Sequence, residues 1–204
     1  MSPRRIDRNP ISVYQRKAKA ARRAGENSRC TCGEQNPAVL IAGSRPKVCF
    51  ECKSRGDGKN TTEEHHVAGR ANSSITISIP LNIHRLLSID QCDWPQDVLR
   101  NPDGSPLLMA AGCILGFIDL TNALLPRIGD SLELEASRNS EKTLLVSAAG
   151  WIRTLVDLID SLLPWIIDLL QWLDAYLNDR FGPKWWLDTG LEKTVPKGWT
   201  HAKR

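Results

Sequence analysis

TTEEHHVAGRANSSITISIPLNIHRLLS, residues 61–88, holds three of the chain's four histidines. Two of them, His65 and His66, are adjacent in a polar stretch that has nothing to build a core from. SITISIP then alternates isoleucine with small polar residues, which predicts a strand with one buried face. Pro80 ends it, and NIHRLLS opens a helix with His84 near its start. The predicted order is a strand carrying His65 and His66, a loop containing Gly69, a second strand, and a helix. Neighbouring side chains on a strand point to opposite faces. His65 and His66 therefore belong at a strand end or bulge, with Gly69 and Asn72 letting the chain turn back.

Upstream, residues 28–60 are rich in Cys, Gly, Lys and Pro and show no apolar periodicity. Hydrophobic burial does not explain how such a segment holds together. Four of the six cysteines lie here, as Cys30-x-Cys32 and Cys49-x-x-Cys52. Two thiolate pairs complete a tetrahedral Zn2+ site and supply folding free energy directly. Cys92 and Cys113 stand apart and read as a lone cysteine and a core residue.

Phosphodiester cleavage needs a base to activate water, a metal to neutralise phosphate charge, and a basic surface to hold the strand. Two histidine ligands and one histidine base meet the first two needs. The basic surface lies at the N-terminal end, where residues 1–29 carry nine Lys/Arg against two Asp/Glu. Asn9-Pro10 predicts a helix start and Gly25 its end, with a basic face suited to phosphate.

Read together, EEHHVAGRAN followed by TISIPLNIHRLLS resembles the ββα-metal core of HNH endonucleases, and the cysteine-rich segment resembles the zinc knuckle that many of them carry. The resemblance covers residues 28–90. It implies an α+β protein whose small zinc-stabilised ββα-metal (HNH) domain hydrolyses DNA. It assigns His66 as general base, His65 and His84 as ligands of a divalent ion (Mg2+, Mn2+ or a transition ion), and Asn72 as the residue that orients the base and shapes the loop. Arg70 or Arg85 would brace the phosphate. Pro80 and Ile83 stand where many members have a second cysteine pair, so structural zinc falls to Cys30, Cys32, Cys49 and Cys52. Ser88 stands where some have a third histidine, leaving water or substrate to complete the catalytic metal's shell. The competing expectation is a catalytically inactive, zinc-stabilised nucleic-acid-binding module tethered to a helical oligomerisation or membrane-associated region.

The rest of the chain differs in kind. Residues 101–180 carry five Lys/Arg against eleven Asp/Glu. PLLMAAGCILGFIDLTNALLP is apolar almost throughout. After a polar stretch, RIGDSLELEASRNSEK, a second segment from 141 places Arg153, Asp157, Asp160, Asp168 and Gln171 at helical spacing opposite a wide face of Leu, Ile and Trp. Two long antiparallel helices are predicted, joined by a polar turn, with Pro164 kinking or breaking the second. Faces of this size predict a homo-oligomer or a helical protein partner through 106–180. Membrane contact is the lesser expectation. Residues 107–125 approach spanning length, but Asp119 and Asn122 are costly in lipid. Trp165, Trp172, Trp185 and Trp186 suit an interfacial position, yet the polar face is acidic rather than basic. The N-terminus lacks the apolar run of a signal peptide, which predicts a cytoplasmic protein of prokaryotic or phage origin. The expected divisions are a basic arm (1–27), zinc knuckle plus nuclease core (28–100), helical region (101–182) and a Trp/Lys-bearing tail (183–204) that includes His201.

Overall fold

The structure, a computed structural model, describes residues 10–25, 27–138 and 142–187. Residues 1–9 of the basic arm and 188–204 of the tail, His201 among them, lie outside the described residues. The chain is predominantly helical, with one small antiparallel sheet and a cysteine cluster, an α+β composition. It forms two compact units. One contains the described residues of Asp7–His66 together with Ile75–Pro95, and the other contains Val67–Ser74 and the described residues from Gln96 onward.

In the first unit, α1 (Pro10–Ala24) ends where predicted. Gly25 takes a left-handed φ of 92° and its N–H bonds Ala21 O. The expectation that residues 28–60 lack a core is corrected in part. Ala24, Cys30, Leu40 and Cys49 are buried together, so the cysteines are themselves the centre of a small apolar cluster. Next come α2 (Phe50–Gly56), β1 (Thr62–His65), β2 (Ile77–Pro80) and α3 (Leu81–Gln91). The strands pair antiparallel from Thr62 opposite Pro80 to His65 opposite Ile77. The predicted seven-residue strand SITISIP is thus four residues long. Its first three residues do not join the ladder because β1 stops at His65.

The second unit is a helical hairpin with an addition. It comprises α4 (Gln96–Arg100), α5 (Pro106–Arg138) and α6 (Lys142–Phe181), then a 3-10 turn at Trp185–Leu187. α5 and α6 run antiparallel: Ser105 bonds Asp174 at one end, Asn122 bonds Asp160 midway, and Arg153 reaches Asp130 and Glu133 further along. Two expectations change. The polar stretch from 127 is no turn. It extends α5 to Arg138, because LELEAS is made of good helix formers and Arg153 ties it to α6. Nor does Pro164 break α6, which runs on to Phe181. The cost of the missing N–H is offset by packing along the hairpin.

The addition is Val67–Ser74, the connection between β1 and β2, which belongs to the helical unit. Gly112 and Gly116, one turn apart on α5, let it approach. A Cβ on Gly116 would collide with the Val67 carbonyl, and one on Gly112 would lie 2.6 Å from Asn72 Nδ2 and 2.9 Å from Ala68 O. The division expected between 100 and 101 therefore falls after Pro95, and the strand connection crosses over with the helices.

Two alanine substitutions test this packing. Gly150→Ala meets no atom within 4 Å and should raise stability by about 1 kcal/mol through helix propensity. That is about 2–4 °C in Tm for a chain of this size. Gly116→Ala gains the same propensity but collides with backbone, so its Tm should fall by an amount reflecting an overpacking cost of about 1–3 kcal/mol or more. Thermal melts by circular dichroism compare the two, and equal shifts would contradict the close approach.

Candidate metal centres and histidine site

The four thiols converge. Their sulfur atoms all lie within 4.8 Å of one another, and Cys32 Sγ is 3.7 Å from Cys49 Sγ. That is far beyond a disulfide, and all four cysteines are free. A tetrahedral Zn2+ with Zn–S bonds of about 2.3 Å separates its sulfurs by about 3.8 Å, so the cluster fits a structural metal ion. Local backbone geometry explains the convergence. Gly33, at φ 101°, turns the chain back so that its N–H bonds Cys30 O. Cys49 N–H donates to Cys30 Sγ at 3.3 Å, and Cys52 N–H to Cys49 Sγ at 3.5 Å, with Cys49 as the N-cap of α2.

Such N–H···S bonds favour thiolate. Burial pushes Cys30 up, but the backbone N–H groups of Cys32 and Cys49 outweigh it and bring its pKa down to about 6. Burial and then the neighbouring thiols push Cys52 well above the usual thiol range.

This cluster positions the histidines. Glu51, on α2, accepts the N–H of Asn82 at 3.1 Å, and the buried Asn82 returns the bond by accepting Glu51 N–H at 3.3 Å. Arg85 donates from Nε to Ala38 O at 2.8 Å, and its guanidinium lies 4.4 Å above the Phe50 ring. Cysteine knuckle and α3 are thereby joined, and α3 carries His84. The guanidinium of Arg85, expected to brace phosphate, is instead spent in part on this joint. Arg70 is exposed on the Val67–Ser74 segment.

His65 and His84 are brought together with their ring centroids 5.2 Å apart and their planes at 86°. Two imidazoles holding one ion at about 2.0–2.1 Å with a tetrahedral angle have centroids about 5 Å apart. His84 Nδ1 lies 2.9 Å from Glu63 Oε2. Glu63 and His65 sit two residues apart on β1, hence on one face of the strand. A carboxylate accepting from Nδ1–H leaves the His84 Nε2 lone pair free, the arrangement that orients metal-binding imidazoles. His65 is buried, at 4% exposure. Burial, reinforced by the charges of His84 and His66, lowers its pKa to about 4, so it is neutral at physiological pH.

His66 directly follows the last residue of β1, the strand-end position expected for it. Gln91, two turns after His84 on α3, donates to His66 O at 2.8 Å and lies 3.2 Å from His65 Nε2. Ser88 bonds back to His84 O on its own helix. Asn72 does shape the loop: its N–H bonds Gly69 O and its Nδ2 bonds Ala68 O at 2.9 Å. Its remaining side-chain bonds, to Val98 O and from Asn101, all lie inside the helical unit. Asn72 is 1% exposed, and these bonds give it a structural role.

Sequence reasoning missed Glu63 and Gln91. The first was open to discovery, since i and i+2 share a strand face; the second follows from i and i+7 on a helix. Cys92 is exposed and bonds Ser88 O, and Cys113 lies half-buried in α5, where burial pushes its thiol up to about 11. Neither joins a cluster among the described residues. Compared with protein-family models, curated proteins and solved structures, the chain matches none.

One zinc per chain should be found by elemental analysis of the purified protein. Structural zinc contributes about 10–16 kcal/mol of binding free energy, comparable with the whole stability of a domain, about 5–15 kcal/mol. Cys49→Ser, or a strong chelator, should therefore unfold the first unit, seen as loss of amide-exchange protection in β1, β2 and α3. Unchanged protection without metal would show that the thiols need no ion.

Proposed function

We propose that the chain is a metal-dependent HNH-type endonuclease that hydrolyses DNA phosphodiester bonds. The observation that carries this reading is the Glu63–His84–His65 arrangement in a strand–strand–helix succession, with His66 at the end of the first strand. His65 and His84 would hold a divalent ion, which supplies Lewis-acid neutralisation of phosphate charge. His65 contributes a neutral imidazole, and Glu63 holds the His84 ring in the ligating tautomer. His66 accepts the proton of the attacking water. Gln91 fixes the backbone at His66, so the base keeps its place as it takes charge. Lys19, Arg22 and Arg23 are exposed on α1 and offer a positive surface to the strand.

A specific observation favours the second reading, a zinc-stabilised module that binds nucleic acid without cutting it. Among the described residues, only the four cysteines gather three or more metal donors. His65 and His84 therefore hold an ion only if water or phosphate oxygen completes its shell.

Relaxation of supercoiled plasmid with Mg2+, Mn2+ or Ni2+, and with EDTA, separates the two. The wild type should nick in a metal-dependent manner. His66→Ala should lose about 10²–10⁴-fold in rate, the usual worth of a general base. Glu63→Gln should keep the fold and lose about 10–100-fold, recoverable in part at higher metal concentration. Salt-dependent DNA binding with no cleavage by any of the three proteins would favour the binding module.

A further inference from the structure

α6 carries two apolar faces, and the hairpin uses one. Ala149 and Ile167 are buried, as is Asp174 with its bond to Ser105. A second face is exposed along the same helix. From Trp151 to Tyr176 its large side chains are spaced four, three, four, three, four, three and four residues apart without interruption. Trp151 is 75% exposed and Trp165 76%, and every other member of the row is about half exposed. This is a heptad seam, about half exposed or more at every position.

The period identifies the class of partner. A straight α-helix has 3.6 residues per turn, so a row repeating every 3.5 winds around it by about 20° per heptad. A flat lipid surface selects a straight stripe and gains nothing from such winding, whereas a second helix supercoiling with the first follows it. Asp157, exposed on α6, is also the wrong sign for an anionic bilayer.

We propose that this seam pairs with the α6 of a second copy of the chain, antiparallel, so that two hairpins join through their α6 helices. The seam is self-complementary about a two-fold axis at Leu163–Pro164. Leu162 then meets Trp165 of the second copy, Leu158 meets Leu169, Leu155 meets Trp172, and Trp151 meets Tyr176. No tryptophan faces a tryptophan. A parallel pair would set each residue against itself and crowd three Trp–Trp layers into one core. Antiparallel pairing also sets opposite helix-dipole ends side by side, and a two-fold interface needs this self-matching. The area suffices. Aromatic side chains bury about 150–250 Å² each, so the seam's three tryptophans and one tyrosine offer about 500 Å² at their present exposure. Its four leucines carry the total toward the about 800 Å² per partner of a stable interface. This inference is independent of the nuclease reading.

The test is sedimentation velocity and light scattering on the full zinc-loaded chain at tens of micromolar, without lipid. The expected mass is twice the 22.7 kDa of one chain. Leu158→Lys and Leu169→Glu are both on the exposed seam, so neither buries a charge in the free hairpin. Each alone should give a monomer with unchanged helical circular dichroism. The double variant sets the introduced lysine of each copy opposite the introduced glutamate of the other, on both sides of the axis, and should restore the dimer. A monomeric wild type would overturn the proposal, as would single variants that stay dimeric. A double variant that stays monomeric would overturn the antiparallel register. Wild type that is monomeric and floats with phosphatidylcholine vesicles would assign the seam to lipid instead.

Discussion

Four sulfur atoms held within 4.8 Å of one another are the constraint on which the first unit depends. Thiolates so close repel, and two of the four, Cys30 and Cys49, are buried, so the arrangement suits a cation. From that centre the structure extends outward by specific bonds. Cys49 starts α2, Glu51 on α2 exchanges two bonds with Asn82 at the start of α3, and α3 presents His84 to His65. Positioning of the histidines is thereby carried by a chain of directional contacts as well as by apolar packing.

The histidine pair is held by its surroundings. Glu63 lies against His84 Nδ1, burial keeps His65 neutral, and Gln91 secures the backbone at His66. Asn72, which the HNH resemblance would place near the base, serves the loop instead, because its donors and acceptor are all satisfied in the helical unit.

Local signals in the sequence were reliable where chemistry and geometry coincide. Gly25 bounds α1, Pro80 ends β2, and cysteine spacing located the thiol cluster; Asn9, expected as the cap of α1, lies outside the described residues. The strand-end position of His66 followed from alternation alone. What could not be read locally was set by distant partners. RIGDSLELEASR looks like a turn until Arg153 bonds Asp130 and Glu133 across the hairpin. Arg85 looks like a free cation until Ala38 and Phe50 occupy it. Gly112 and Gly116 look like weak points in an apolar helix, and their reason is a loop much earlier in the chain.

That loop has a consequence for the order of synthesis. Val67–Ser74 leaves the ribosome well before the α5 glycines that receive it. While translation proceeds, the connection between β1 and β2 has no seat, and the residue just before it is His66. The four cysteines can come together as soon as Cys52 emerges, but the strand connection reaches its final place only after Gly116 has been made. A nascent chain released early would bring its four cysteines together and still lack a seated Val67–Ser74 connection. In this sense α5 sets the time at which the connection between β1 and β2 is finished.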